Sequence, residues 1–258
     1  MNETIKTILN HRSIREFTDE AVDPKVIELL VEVAQHTATS MGLQSSAIVR
    51  VTDPEKKKQI MEVAKQEYVA RAPELWVFIV DNYRNVNISK QKGSEPDLAY
   101  GMDHFFSGFT DAALTASNVL TSIESLGLGG VFIGNVLNDP TRIIEILDLP
   151  EGTFPVVGLL FGKPNQAPEL KPRMPMEFRF FENSYVKRDD YVEALEDYDT
   201  VMHTYYDLRN ANQRVDTFTD QVVKKYKVGD VRRNQVLEDA QNNGFQLLYK
   251  PESKDDGQ

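Results

Sequence analysis

The apolar positions of this chain form stretches with helical spacing, separated by short continuous runs. Residues 3–10 read as a short helix that stops at a basic cluster. Asp23-Pro24 opens a second helix with proline at its first position, and Val26, Leu29, Leu30, Val33 and Ala34 recur every three or four residues. A polar stretch from Thr37 to Ser46 follows, and residues 47–51 predict a strand. Asp53-Pro54 restarts a helix to about Lys65. Residues 75–80 are a continuous apolar run of strand length, the pattern of a buried central strand.

The longest helical pattern runs from about Asp97 to Leu126. Leu98, Met102, Phe105, Phe109, Ala112, Ala116, Val119, Ile123 and Leu126 mark one stripe, and Phe106, Ala113 and Leu120 a second. Two stripes suit either a central core helix or a helix that also packs on a second subunit. Residues 130–134 form a short strand or turn, Asp139-Pro140 opens a helix to about Leu147, and residues 154–162 are a second buried strand. Beyond about residue 185 the chain becomes charged and helical. Three parts are expected: a core at 1–189, a helical extension of the same domain at 190–250, and a disordered tail at 251–258.

Composition removes several function classes. Forty acidic residues against 29 Lys plus Arg leave a net charge of −11, which argues against nucleic-acid partners and anionic membrane surfaces. There is no cysteine, so thiolate metal sites, disulfides and cysteine nucleophiles are excluded. His11, His36, His104 and His203 fall at no metal-ligand spacing, and neither HExxH nor GxSxG occurs. Gly127-Leu128-Gly129-Gly130 comes near a dinucleotide-binding glycine motif, but position 132 is Phe132. The first ten residues do not read as a signal peptide, and no stretch is suited to span a membrane, so a cytoplasmic protein is expected.

Against this acidic background two cationic clusters stand out, His11-Arg12-Ser13-Ile14-Arg15 and Lys171-Pro172-Arg173. Such clusters suit a specific anion, most often a phosphate. Pro172 favours an extended backbone, which would turn Lys171 and Arg173 to one face as a two-pronged clamp.

The chain resembles the nitroreductase-like FMN flavoproteins, specifically the NADPH-dependent nitroreductase and flavin reductase branch. The resemblance rests on strings in order. They are the 11–15 cluster followed by Glu16-Phe17-Thr18-Asp19-Glu20, Gln66-Glu67-Tyr68-Val69, Trp76-Val77-Phe78, the run from Gly127 to Gly134, Gly162-Lys163-Pro164 with Leu170-Lys171-Pro172-Arg173, Glu182-Asn183-Ser184-Tyr185, and the stretch from Tyr206 to Thr217. It implies an α+β nitroreductase-like fold, with a central mixed β-sheet flanked by helices and a C-terminal helical extension.

It also implies residue roles. Lys171 and Arg173 would hold the FMN phosphate, with His11, Arg12 and Ser13 nearby, and Arg15 would approach the N1/O2 edge. A cation at that edge stabilises reduced flavin. Thr39 and Ser40 would lie beside the flavin, Gln66 at its pyrimidine edge, and Gly129, Gly130 and Val131 against the ring. The two glycines equally read as the stop of the long helix, and Gln66 as a solvated helix end. Met41 and Tyr68 would line the substrate face, or simply pack. Arg209 and Arg214 would engage the 2′-phosphate of NADPH, or pair with Asp207, Asp216 or Asp220. One arginine precedes Val215-Asp216-Thr217 where relatives often carry two, and Gly42 replaces a bulkier apolar residue.

The implied function is an FMN-dependent NADPH oxidoreductase. It would be a homodimer that passes two electrons to a small-molecule acceptor such as a nitroaromatic, a quinone or free flavin. The alternatives are a reductase dedicated to one physiological acceptor, a flavin carrier with little turnover, and an acidic helical interaction protein without a cofactor.

Overall fold

The structure is a computed structural model that describes residues 1–96, 98–210, 217–227 and 232–246, with backbone alone for 206–210. The expected tail at 251–258 lies outside the described residues. The elements in order are α1 (Glu3–Leu9), α2 (Pro24–Gln35), β1 (Ser46–Arg50), α3 (Pro54–Ala64), α4 (Tyr68–Arg71), β2 (Glu74–Asp81), α5 (Tyr83–Gln91), α6 (Met102–Ser125), β3 (Gly129–Ile133), α7 (Pro140–Leu147), β4 (Thr153–Gly162), α8 (Tyr191–Ala194), α9 (Glu196–Asn210), α10 (Phe218–Lys227) and α11 (Val236–Asn242). The chain divides into two compact units. Met1–Pro168 with the C-terminal stretch from Val231 forms one, and Glu169–Asp230 forms the other.

In the first unit, four strands pair antiparallel in the order β1-β2-β4-β3. Among the described residues the parallel pairing consists of two isolated bridges, Ser13 to Gly130 and Gly101 to Gln246. Alternate residues of β2 feed opposite faces, as strand geometry requires. Trp76, Phe78 and Val80 join a core with residues of α2, α6 and α11. Leu75, Val77 and Ile79 join a second core with residues of α3 and α7. Opposite Phe78 and Ile79 the β4 register skips from Val157 to Pro155. This bulge shifts the parity of β4, so Phe154, Val156, Leu159 and Phe161 all reach the first core.

Three helices begin at Asp-Pro, and each aspartate caps its own helix. The carboxylate oxygens of Asp23, Asp53 and Asp139 accept the backbone N–H of Lys25 at 2.9 Å, Glu55 at 2.8 Å and Arg142 at 3.1 Å. The long helix starts later than its apolar pattern predicts. Gly101 N–H bonds to Leu98 O at 2.9 Å in a turn, and Tyr100 O accepts the Gln246 N–H at 2.8 Å, so the chain enters α6 only at Met102. At the other end Gly127, with φ of 76°, terminates α6. Its N–H meets Glu124 O, and the Leu128 N–H meets Ile123 O. The helix stop therefore belongs to Gly127 and not to Gly129 or Gly130, which lie inside β3.

In the second unit, Leu195, Tyr198 and Met202 form a small core with Met174, Phe178 and Phe218. Asp199 ties α9 to the start of α10 by accepting the Thr219 backbone N–H at 3.0 Å.

Candidate functional site

Two of the glycines singled out in the sequence lie on β3, and the first cationic cluster runs beside them. Ile14 donates its backbone N–H to Gly130 O at 3.0 Å. Glycine at position 129 is required for this approach. A Cβ on Gly129 would stand 2.5 Å from Ile14 Cγ1, and one on Gly130 would stand 2.7 Å from Leu120 Cδ1. Val131 is 3% exposed, and its side chain packs in the second core.

Within the cluster, Ile14 is buried while Arg12 is exposed and His11, Ser13 and Arg15 are half-buried. His11 Nδ1 pairs with Glu124 Oε1 at 2.6 Å. Arg12 and Arg15 form no ion pair among the described residues. Arg12, Lys6, Asn10, Gly129 and Gln166 share a cavity of about 460 Å³. Gln166 reaches the Ser13 carbonyl at 3.4 Å. Glu124 and Gln166 were not signalled by the sequence, because each becomes relevant only through contacts more than a hundred residues apart.

The 64–71 stretch joins the same region. Asn135 and Asn138, just past β3, donate side-chain N–H groups to Ala64 O and Val63 O, both at 3.1 Å. Arg71 pairs with Glu16 at 2.9 Å, next to Arg15. Between these anchors Tyr68 donates its hydroxyl to Gln66 Oε1. Both side chains are half-buried, and Gln66 follows directly on the end of α3. The segments at 11–16, 64–71 and 129–135 are thus linked by direct contacts.

Thr39, Ser40 and Met41 are held elsewhere, on α6. The Ser40 backbone N–H donates to Asp111 Oδ1 at 2.8 Å. Met41 has φ of 52° and is 65% exposed. No hydrogen bond joins this turn to the other three segments among the described residues.

In the second unit, burial alternates from Lys171 to Pro175. Lys171 and Arg173 are exposed, whereas Pro172 and Met174 are half-buried. Tyr198 donates to Pro172 O at 3.4 Å and Met174 packs on the unit's core, so α9 holds this extended run with both cations outward. Arg173 also donates to Lys171 O at 3.1 Å. The side chain of Arg209 and the whole of Arg214 lie outside the described residues.

The sequence model of the nitroreductase family matches residues 8–163, and that of the nitroreductase family C-terminal domain matches 171–248. The chain is 37% identical over 230 residues to the FMN reductase (NADPH) of Bacillus subtilis, covering 88% of this chain and 92% of that one. It is 38% identical over 224 residues to the oxygen-insensitive NADPH nitroreductase of Salmonella typhimurium, covering 86% and 90%. The solved structure of NfrA2 from B. megaterium superposes with a TM-score of 0.89 at 34% identity, covering 96% of this chain and all of that one. The chain belongs to the nitroreductase family.

Proposed function

We propose that this protein is an FMN-dependent NADPH oxidoreductase that reduces nitroaromatics, quinones or free flavin by two electrons. The observation that carries the proposal is the junction of the 11–15 cluster with β3, where Ile14 packs on Gly129 and sets Arg12 and Arg15, which have no ion-pair partner among the described residues, beside the strand. The curated relatives reported above, an NADPH-dependent FMN reductase and an NADPH nitroreductase, support the choice of donor and cofactor.

The residues fit a phosphorylated flavin. Arg12 and Arg15 have no carboxylate partner among the described residues, Lys171 and Arg173 are exposed on one side of an extended run, and Arg12 lines a cavity of about 460 Å³ together with Gly129. When bound, FMN supplies the redox chemistry, taking hydride from NADPH and returning two electrons to the acceptor. Lys171 and Arg173 are assigned to the phosphate, with His11, Arg12 and Ser13 beside it. Charge-assisted hydrogen bonds there contribute about 1.5–3 kcal/mol each. Arg15 is assigned to the N1/O2 edge, where its charge favours the reduced ring. Gln66, oriented by Tyr68, is assigned to the pyrimidine edge, and Gly129, Gly130 and Val131 to backbone contact with the ring. Thr39 and Ser40 are assigned to the cofactor, and Met41 and Tyr68 to the acceptor face. Arg209 and Arg214 are assigned to the NADPH 2′-phosphate, where they offset the repulsion of a chain of net charge −11. No protein nucleophile is required.

We assign the working form to a homodimer. Phe106 and Leu114 on α6 are 58% and 46% exposed, an apolar surface suited to a second copy. No helix among the described residues is long and apolar enough to cross a membrane.

Steady-state kinetics test the proposal. With NADPH and a quinone varied together, parallel double-reciprocal lines are expected, because the two substrates use the loaded site in turn. NADPH oxidation that never depends on FMN would overturn it.

A further inference from the structure

Asp111 sits midway along α6 and is 1% exposed. Its Oδ1 accepts the Ser40 N–H at 2.8 Å, and its Oδ2 is buried without a hydrogen-bond partner. A buried carboxylate satisfied at one oxygen costs stability, so the fold gains little from it as a stabilising device. Its structural return is the grip on Ser40. One turn before it, Gly108 allows the backbone at Ser45 to press against α6, where a Cβ would stand 2.5 Å from Ser45 O. One turn after it, Thr115 donates its hydroxyl to Asp111 O at 2.8 Å and steadies the helix at that point.

The helix thus fixes the 40–45 segment at both ends. Between those ends the backbone is unusual. Met41, Gly42 and Gln44 have φ of 52°, 69° and 52°, in the left-handed region that residues bearing a Cβ disfavour. Such a turn persists only where its surroundings hold it. Its product is Met41, a large apolar side chain displayed 65% exposed.

We infer that Asp111 is a positioning residue that fixes the turn at 40–44 and so sets how Met41 meets the electron acceptor. The inference rests on the proposed function, and adds that the acceptor face is controlled from inside α6 by a residue that touches neither substrate.

The test has two arms. Hydrogen exchange at the Ser40 amide in the unmodified protein reads the bond itself. Exchange slowed at least about a hundredfold relative to an open loop is expected, and open-loop exchange would overturn the inference. The second arm compares Asp111→Ala, Asp111→Asn, Met41→Ala and the double variant Asp111→Ala/Met41→Ala, each loaded with FMN, using menadione as acceptor. Asp111→Ala should raise the menadione KM about tenfold, measured at saturating FMN because the change also releases Ser40. Asp111→Asn, which keeps an acceptor for Ser40, should restore KM, and the double variant should match Met41→Ala. An unchanged KM in Asp111→Ala, or an equal defect in Asp111→Asn, would overturn the inference. If Asp111→Ala does not fold, Met41→Ala decides the matter, and a menadione KM unchanged in that variant would overturn the inference. A protein that holds no FMN and oxidises no NADPH would overturn the proposed function instead, a result read separately from Ser40 exchange.

Discussion

Ile14 lies against Gly129 so closely that a methyl group on the glycine would stand 2.5 Å from Ile14 Cγ1 and 2.9 Å from Ile14 Cβ. The second of these atoms is fixed to the backbone and cannot swing away. The contact holds the cationic segment to the edge of β3 and makes one local geometry out of two distant stretches of chain.

Replacing Gly129 with alanine is therefore expected to push the 11–15 segment off the strand. Overpacking of this kind costs about 1–3 kcal/mol. Denaturant unfolding should show that loss, and FMN occupancy after gel filtration should fall with it. An alanine variant with unchanged stability and full occupancy would show that the junction is not tight.

Arg232 provides a second test of a packed contact. Its guanidinium donates to both oxygens of Asp239, at 2.6 and 2.7 Å, and to Asp139 at 2.8 Å. These carboxylates hold the Arg232 pKa above its ordinary value, with the Asp239 hydrogen bonds the leading cause. Asp239 is 4% exposed, so Arg232→Ala leaves a buried carboxylate that keeps, among the described residues, the Thr141 hydroxyl, which donates to it at 2.8 Å. A loss of about 3 kcal/mol is expected, read as a lowered Tm. Replacing both Arg232 and Asp239 by apolar residues should recover most of it. A single variant as stable as the parent would show that the ion pair contributes nothing.

The double variant Lys171→Ala/Arg173→Ala should lose FMN on dialysis while keeping its far-UV circular dichroism. Both side chains are exposed, so their removal opens no cavity. Two lost charge-assisted bonds weaken binding by about 3–6 kcal/mol, more than a hundredfold. A variant that stays fully yellow would remove the phosphate assignment.

Arg209→Ala should raise KM for NADPH by about tenfold or more and leave KM for NADH nearly unchanged, because only NADPH carries the 2′-phosphate. Equal effects on both nucleotides would sink that role.

Much of the fold is legible in the sequence because its signals are local. Three Asp-Pro pairs announce three capped helices, and the uninterrupted apolar runs at 75–80 and 154–162 announce the two central strands. The start of α6 is not legible, since the apolar stripe continues through Leu98 while Tyr100 O is held by Gln246 from the far end of the chain. The bulge in β4 is invisible for the same reason, being defined only against β2. Helix α5 carries too few apolar residues to announce itself.

The candidate site divides the same way. Basic clusters and glycines can be read one string at a time, but the partnership of Ser13 with Gly130, and that of Asp111 with Ser40, exist only in the folded chain. Asp111 carries no sequence signal at all. It is one acid among 40, and burial is what separates it from the rest.

The central claim is that this chain holds FMN and accepts hydride from NADPH. An anaerobic visible spectrum of the purified protein, titrated with NADPH and separately with NADH, tests it most directly. A flavin spectrum that bleaches rapidly with NADPH and poorly with NADH is the predicted result. A colourless protein that takes up no FMN when the cofactor is added would contradict it.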